Sequence, residues 1–347
     1  MFHRTSLLAF ALLASVPAIH LAGQSRAATG QPAPRTADGR ADLQGMWTNV
    51  TITRLERPAT FNGKLEVSEA EAAAYTKAYL TTTDKDRRDG GVRADVERAY
   101  NAFFWDSGTE LAVVNGKRRT SLIVDPADGQ IPPLTAAARS RIAGPRPAWG
   151  SAIVGPDDPE NAPPSGLYEN PEERPLAERC LLSFGSSSGP PMLPISYNNH
   201  YQIVQTPGYV MILIEMVHDV RVIPTDGRPH GTVRRWLGDS VGRWEGDTLV
   251  VDTINFKPQV NFRGSSHDLH VIERFTRVDD KTMLYKFTID DPTIWTKQWS
   301  GEIPLRATDE QLYEYACHEA NYGLEGVLRG ARAEEKQQAE KSPTAKD

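Results

Sequence analysis

The stretch Thr282-Met-Leu-Tyr-Lys-Phe-Thr-Ile289 alternates without a break. Met283, Tyr285, Phe287 and Ile289 fall on one face, and Leu284, Lys286 and Thr288 on the other. A period of two is the signature of a strand with one buried face. The same texture extends in both directions, from Trp236 to Cys317, as strand-like runs separated by turn-forming residues. This is the pattern of an antiparallel meander. It predicts a mainly β protein whose strands form a barrel or a strongly curved sheet, with a few helices towards the N-terminus.

Working outward, residues 201–205 and 209–217 are predicted strands joined by the Thr-Pro-Gly turn at 206–208. Residues 221–223 lead into the Thr-Asp-Gly turn at 225–227. Next come Trp236, a turn at Asp239-Ser-Val-Gly242 and a strand over 248–256. Residues 270–278 and 282–289 form a hairpin over Asp279-Asp280-Lys281, and strands at 295–305 and 312–317 close the series. Towards the N-terminus, Ser68 and Glu71 make a capping-box pattern ahead of an Ala-rich helix over 69–80. Further helices are expected over 95–104 and, capped by Thr135, over 135–142, with a short strand at 118–124.

These elements divide the chain into five parts. Residues 1–27 read as an export signal: Arg4 supplies positive charge, residues 7–22 are almost wholly apolar, and Ser25-Arg26-Ala27 offers small residues for cleavage. The apolar run is short and broken by Pro17, which favours cleavage near Ala27 over a retained anchor. No cysteine follows it, so no lipid anchor is expected, and no later segment nears the roughly 18 to 20 apolar residues that span a bilayer. Residues 28–143 form a helix and strand segment packing on the β unit, opening with a flexible leader at 28–41. Residues 144–179 are a Pro/Gly-rich arm or loop, 180–319 the antiparallel β domain, and 320–347 a polar, partly disordered tail. The expected location is the periplasm or the exterior.

Net charge narrows the partners. Loss of residues 1–27 removes Arg4 and Arg26 and no acids, taking the formal charge from -6 down by two. An acidic chain is a poor match for nucleic acid, whose phosphates need a basic patch. The two cysteines, Cys180 and Cys317, read as a disulfide in an oxidising compartment, with two buried thiols as the alternative. There is no Gly-x-Ser-x-Gly elbow, P-loop or dinucleotide fingerprint, and no cofactor is expected. Ser183-Phe-Gly-Ser-Ser-Ser-Gly-Pro-Pro191 lacks the strand–turn–helix setting of a nucleophile loop and reads as a turn.

Gly242-Arg-Trp-Glu-Gly-Asp-Thr-Leu-Val-Val251 resembles a signature of a large family of secreted bacterial proteins of unassigned activity. Arg274-Phe-Thr-Arg-Val-Asp279, Tyr313-Glu-Tyr-Ala-Cys-His-Glu319, Ser121-Leu-Ile-Val-Asp125 and Tyr197-Asn-Asn199 are similar to other parts of it. The resemblance implies export and a shared architecture, and transfers no catalytic residue. Separately, Gly45-Met-Trp47 resembles the Gly-x-Trp of lipocalin-like barrels, where the indole plugs one end.

Candidate chemistry lies late in the chain, because residues 28–199 contain no histidine. The densest cluster is Glu215-Met-Val-His-Asp-Val-Arg221, directly after the apolar run 210–214. Glu215, His218, Asp219 and Arg221 are the candidate catalytic residues. A desolvated carboxylate could move protons and Arg221 could hold a developing negative charge. The competing explanation is an ion pair of Arg221 with Glu215 or Asp219 that satisfies a strand end. Asn198, Asn199, His200, Trp244, Trp299 and His318 are candidate substrate-binding residues, though turn chemistry explains the asparagines equally well and the tryptophans suit a core. His267 and His270 have ligand-like spacing, but a metal would need a third ligand such as His218 or His230. The functional expectation is a cofactor-independent acid–base enzyme (a lyase, isomerase or hydrolase) on a small apolar or sugar-like molecule. The alternatives are a non-catalytic lipocalin-like ligand-binding protein and an envelope protein that works through its Pro-rich arm.

Overall fold

The alternating runs pair into one antiparallel sheet. A computed structural model describes residues 34–341 except 85–86, 99–105, 144–167, 169, 184–188, 261 and 320. The expected export signal, most of the Pro/Gly-rich arm, and part of the helix expected over 95–104 therefore lie outside the described residues. In chain order the strands are β1 (Gly45–Thr48), β2 (Glu66–Val67), β3 (Val113–Val114), β4 (Lys117–Arg119) and β5 (Ile123–Asp125). They continue as β6 (His200–Thr206), β7 (Tyr209–Ile214), β8 (Val220–Pro224), β9 (Asp239–Glu245) and β10 (Thr248–Ile254). The last three are β11 (His270–Arg277), β12 (Thr282–Asp290) and β13 (Trp299–Ala307). The helices are α1 (Glu69–Thr83), α2 (Gly91–Arg98), α3 (Ala136–Ala143) and α4 (Tyr322–Lys341).

Strands β8-β7-β6 form one meander and β13-β12-β11-β10-β9 another, and β1 joins them by pairing with both β6 and β13. Where β1 ends, β5 takes over the same edge of β13. The result is a nearly closed, barrel-like sheet. Its two terminal strands, β8 and β9, approach one another without a hydrogen-bonded ladder. Side chains fill that seam: Gly242 on β9 leaves just enough room for Ile223 and Thr225, whose methyl carbons would stand 3.0 and 2.9 Å from an added Cβ.

The inward positions follow the alternation read from sequence. On β12 Met283, Tyr285, Phe287 and Ile289 are buried, and on β11 Val271, Glu273 and Phe275. Trp47, Tyr201, Phe256, Phe275, Tyr285, Phe287 and Trp299 are each no more than 1% exposed. Burying each such side chain contributes about 1.5–3 kcal/mol. At one end of the barrel the Trp47 indole donates to Leu43 O at 3.0 Å, and the Arg277 guanidinium lies 5.0 Å above its ring. A second, smaller core of Ile52, Phe61, Val67, Ala72 and Leu111 sits between α1 and the β2-β4-β3 sheet. As the sequence predicts, Ser68 and Glu71 cap α1 reciprocally.

Several sequence expectations are corrected. The turn placed at Asp239–Gly242 is the start of β9; the tight turn is Gly246-Asp247, where Gly246 takes φ 60°. Residues 312–317 form no strand, and 295–298 precede β13 instead of belonging to it. Residues 118–124 are the end of β4 and the start of β5. The 28–143 segment does more than pack on the β unit, because β1 and β5 are strands of the main sheet. Within the expected flexible leader, residues 34–41 are anchored: Arg35 bridges to Ala41 and grips Asp247 through two hydrogen bonds of 2.9 and 2.8 Å. The polar tail is a 20-residue helix over most of its length; Leu328 is its buried residue. Among the described residues no helix is long and apolar enough to cross a membrane.

Inside the barrel Arg221 of β8 meets Glu273 of β11 in a two-pronged ion pair, one arm of which is 2.9 Å, with both side chains at most 1% exposed. Arg221 also reaches Ser240 of β9 at 3.4 Å, and the Tyr285 hydroxyl donates to Glu273 at 2.8 Å. Met192 N in turn donates to that hydroxyl at 3.0 Å. Burial opposes a charged guanidinium, but the Glu273 charge and its hydrogen bonds outweigh this and raise the Arg221 pKa. Arg221→Ala strands a carboxylate in the core and should cost about 3–5 kcal/mol in urea unfolding. Arg221→Met combined with Glu273→Leu should recover most of that loss, since no uncompensated charge is left behind.

Candidate functional site

His200 opens β6 and, by alternation with the inward Tyr201 and Ile203, points to the outer face of the barrel. It is nonetheless only 7% exposed. Its cover is the non-helical, non-strand segment 308–319, which crosses this face after β13. That strap is held at intervals: Thr308 N donates to Met46 O (3.1 Å), and Tyr313 N to Glu215 Oε1 (3.1 Å). Tyr315 stacks on Tyr197 at 6.4 Å, and the Cys180–Cys317 disulfide, with Cα atoms 5.8 Å apart, pins the far end.

Glu215 follows β7 and is 4% exposed. It keeps the ladder going by one residue, its N donating to His200 O at 3.0 Å. The chain then reverses through Met216–His218, where Val217 and His218 adopt φ of 59° and 44°. A β-branched residue in the left-handed region costs about 1–3 kcal/mol and persists only where its surroundings enforce it; here Met216 and Val217 are buried in the core. The turn sets Glu215 beside the imidazole. His200 Nδ1 lies 3.0 Å from Glu215 Oε2, which also accepts from His200 N at 3.3 Å. On the other side His200 Nε2 lies 3.1 Å from Glu310 Oε2, whose side chain is 71% exposed. One carboxylate is therefore fixed and the other displaceable.

The Glu215 hydrogen bond raises the His200 pKa; burial works against it, and the charges of Asp106 and Glu310 add to it. Asp106 is pushed up to about 6, first by burial and then by repulsion from Glu310 and Glu215, with His200 and Arg306 opposing. Its backbone is placed by Asn199, a fully buried side chain that donates to Asp106 O at 2.9 Å and to Ile195 O at 2.8 Å while accepting from Ile195 N. Beside the dyad a cleft of about 380 Å³ opens between β7 and the strap. Leu213 and Leu312 supply apolar wall, and Glu215, His218, Tyr313 and Glu314 the polar border, while the Ile214 side chain is turned into the barrel core.

The residues singled out from sequence are thus divided. Glu215 and His218 line the cleft, and His200 reaches it only through Glu215, 3.0 Å from its Nδ1. Asp219 is half-buried, and its carbonyl accepts from Ile214 N at 2.9 Å. Arg221 is not at this site: it points into the barrel, and its partner is Glu273 in place of the expected Glu215 or Asp219. Asn199 braces the site from behind, and Asn198 takes the left-handed turn conformation at φ 54°. Trp299 is a core residue packed against Trp295, Phe287 and Phe262. Trp244 packs partly buried against the core, with Arg40 5.8 Å from its ring. His318 is exposed after the disulfide. His267 is exposed next to Asp268, whereas His270 bonds Asp252 at 2.9 Å and His230 takes the other Asp252 oxygen, also at 2.9 Å. Among the described residues no group of three or more His, Cys, Asp or Glu is arranged to hold a metal ion. Sequence reading missed Asp106 and Glu310, which come from loops with no periodic signal. It also missed Glu273, which was legible as a charge on the apolar face of an alternating strand.

No family model, no curated protein and no solved structure matches this chain. The family resemblance therefore rests on its sequence motifs alone.

His200 should titrate above its ordinary value of 6.5 when its ring protons are followed by NMR, and Glu215→Gln should bring it down. Because the folded chain holds this proton more tightly than the unfolded one, the stabilisation is complete below 6.5 and fades as pH rises through the folded value. Asp106 acts with the same sign, its contribution present below 3.8 and lost as pH rises through about 6. These two groups should therefore each add a decline in unfolding temperature as pH rises, superposed on the opposite trend of Glu71, Asp226 and Asp252, whose pKa values are lowered. Asp106→Asn should flatten the acidic part of that decline, and Glu215→Gln the part nearer neutrality.

Proposed function

We propose that this chain is an exported, cofactor-independent enzyme whose acid–base centre is His200, oriented by Glu215, acting on a small molecule held in the adjoining cleft. The observation that carries the reading is the two-sided environment of one imidazole. A buried carboxylate holds Nδ1 and so selects the tautomer, while Nε2 faces a carboxylate, Glu310, that is exposed to solvent. A ligand that displaces Glu310 meets Nε2 as its proton donor or acceptor, and the charge of Asp106 helps keep the imidazole protonated. Lyase, isomerase and hydrolase chemistry all use such a centre. The disulfide supports an oxidising compartment outside the cytoplasm, in line with the leader read from sequence.

The alternative is a lipocalin-like binding protein without turnover. Large aromatic side chains occupy the barrel interior, and this favours the outer cleft as the ligand position in that reading too.

Screening the purified protein against panels of esters, glycosides and enolisable carbonyl compounds should identify a turned-over substrate. On that substrate His200→Gln and Glu215→Gln should each lower kcat by about 10²–10⁴-fold, with the disulfide intact and the fold retained by circular dichroism. Undiminished turnover in folded His200→Gln would sink the proposal. Ligand co-purifying in native mass spectrometry, bound equally well by Glu215→Gln, would establish the binding protein instead.

A further inference from the structure

We propose that the cleft is selective for a small amphipathic cation, a protonated amine carrying a short apolar arm. This deepens the reading of the cleft as the working site and rests on it.

Three features of the cleft select such a molecule. Its volume, about 380 Å³, falls at the lower end of the range for small-molecule sites. Its walls at the outward-facing Leu213 and at Leu312 are apolar, which suits a ligand with an apolar body. A polyhydroxylated sugar would lose water from its hydroxyls there without replacement. The border is acidic: Glu215 and Glu314 line it, no Lys or Arg does among the described residues, and Glu310 bonds the imidazole that Glu215 holds. Arg306, whose charge acts on Asp106, donates to Val50 O at 3.2 Å.

Within that border the carboxylates have different roles. Both oxygens of Glu215 are already engaged by His200 and by Tyr313 N, so it positions the imidazole and is not available to grip a ligand. Glu314 is exposed at the mouth, one residue beyond the Tyr313 anchor, and lies where an ammonium would meet it with the apolar arm towards Leu213 and Leu312. An ammonium there complements the acidic border, whereas a carboxylate ligand would be repelled by it.

The test uses the disulfide-bonded protein and three probes of matched shape: benzylamine, phenylacetate and benzyl alcohol. Binding is read by calorimetry and by the His200 and His218 ring resonances. Benzylamine should bind and move those resonances, at least about tenfold more tightly than phenylacetate. Glu314→Gln should weaken the amine by about two- to fivefold, and Glu314→Lys should abolish the preference for amine over carboxylate. The proposal is overturned if phenylacetate or benzyl alcohol binds as tightly as benzylamine, if no amine binds at millimolar concentration, or if Glu314→Lys leaves the preference unchanged. These outcomes are independent of the acid–base reading, which is judged by turnover in His200→Gln.

Discussion

The barrel closes on a charge pair. Along eight junctions its strands are joined by backbone hydrogen bonds, but between β8 and β9 the ladder is missing. Arg221, the inward residue of β8, spans that gap from inside, touching Ser240 on β9 and gripping Glu273 on β11. A guanidinium in a fully buried setting is tolerated only with a partner, and Glu273 is tolerated for the same reason. Tyr285 and the Met192 backbone complete the hydrogen bonding of the carboxylate and phenol. Through Met192, this interior network reaches the loop that leads to β6 and so to His200.

The outer site depends on that closure and on a second constraint. β7 ends against β8 in a left-handed reversal at Val217 and His218, and the same turn delivers Glu215 to the imidazole. The strap after β13 then supplies Glu310, Tyr313 and Glu314 from the opposite side. A strap with neither helix nor strand has no regular hydrogen-bonding scheme to hold it. Side-chain anchors do so instead, chiefly the Glu215 carboxylate, the Tyr197–Tyr315 stack and the disulfide. In the chain-entropy model, closing a loop of 137 residues stabilises the fold by roughly 5 kcal/mol. Here the link also holds a polar site together at the surface, where hydrophobic burial alone would be weak.

The two histidine clusters illustrate how similar residue types lead to different ends. His200 sits under a strap beside a cleft, with one nitrogen fixed and one exchangeable. His230 and His270 share the two oxygens of Asp252 on the outer face of β10, and Asp239 approaches His230 at 3.3 Å. In that arrangement the donors and acceptors largely satisfy one another, which suits a clasp between a loop and the sheet.

By itself the sequence determined the β class, most strand positions, the α1 cap and the Cys180–Cys317 pairing, and it singled out Glu215 and His200 as candidates. These are local or binary properties: a period of two, a four-residue capping pattern, an even cysteine count, polar residues at the end of an apolar run. Only the tertiary structure decided that β1 and β5 belong to the main sheet, that Arg221 faces inward to Glu273, and that Asp106 and Glu310 join His200. The physical reason is that such contacts are set by strand order and by the path of an irregular segment. Neither leaves a periodic trace in the residues concerned. Even the left-handed reversal at Val217 was hidden, because a β-branched residue adopts it only when the packing around it leaves no other route.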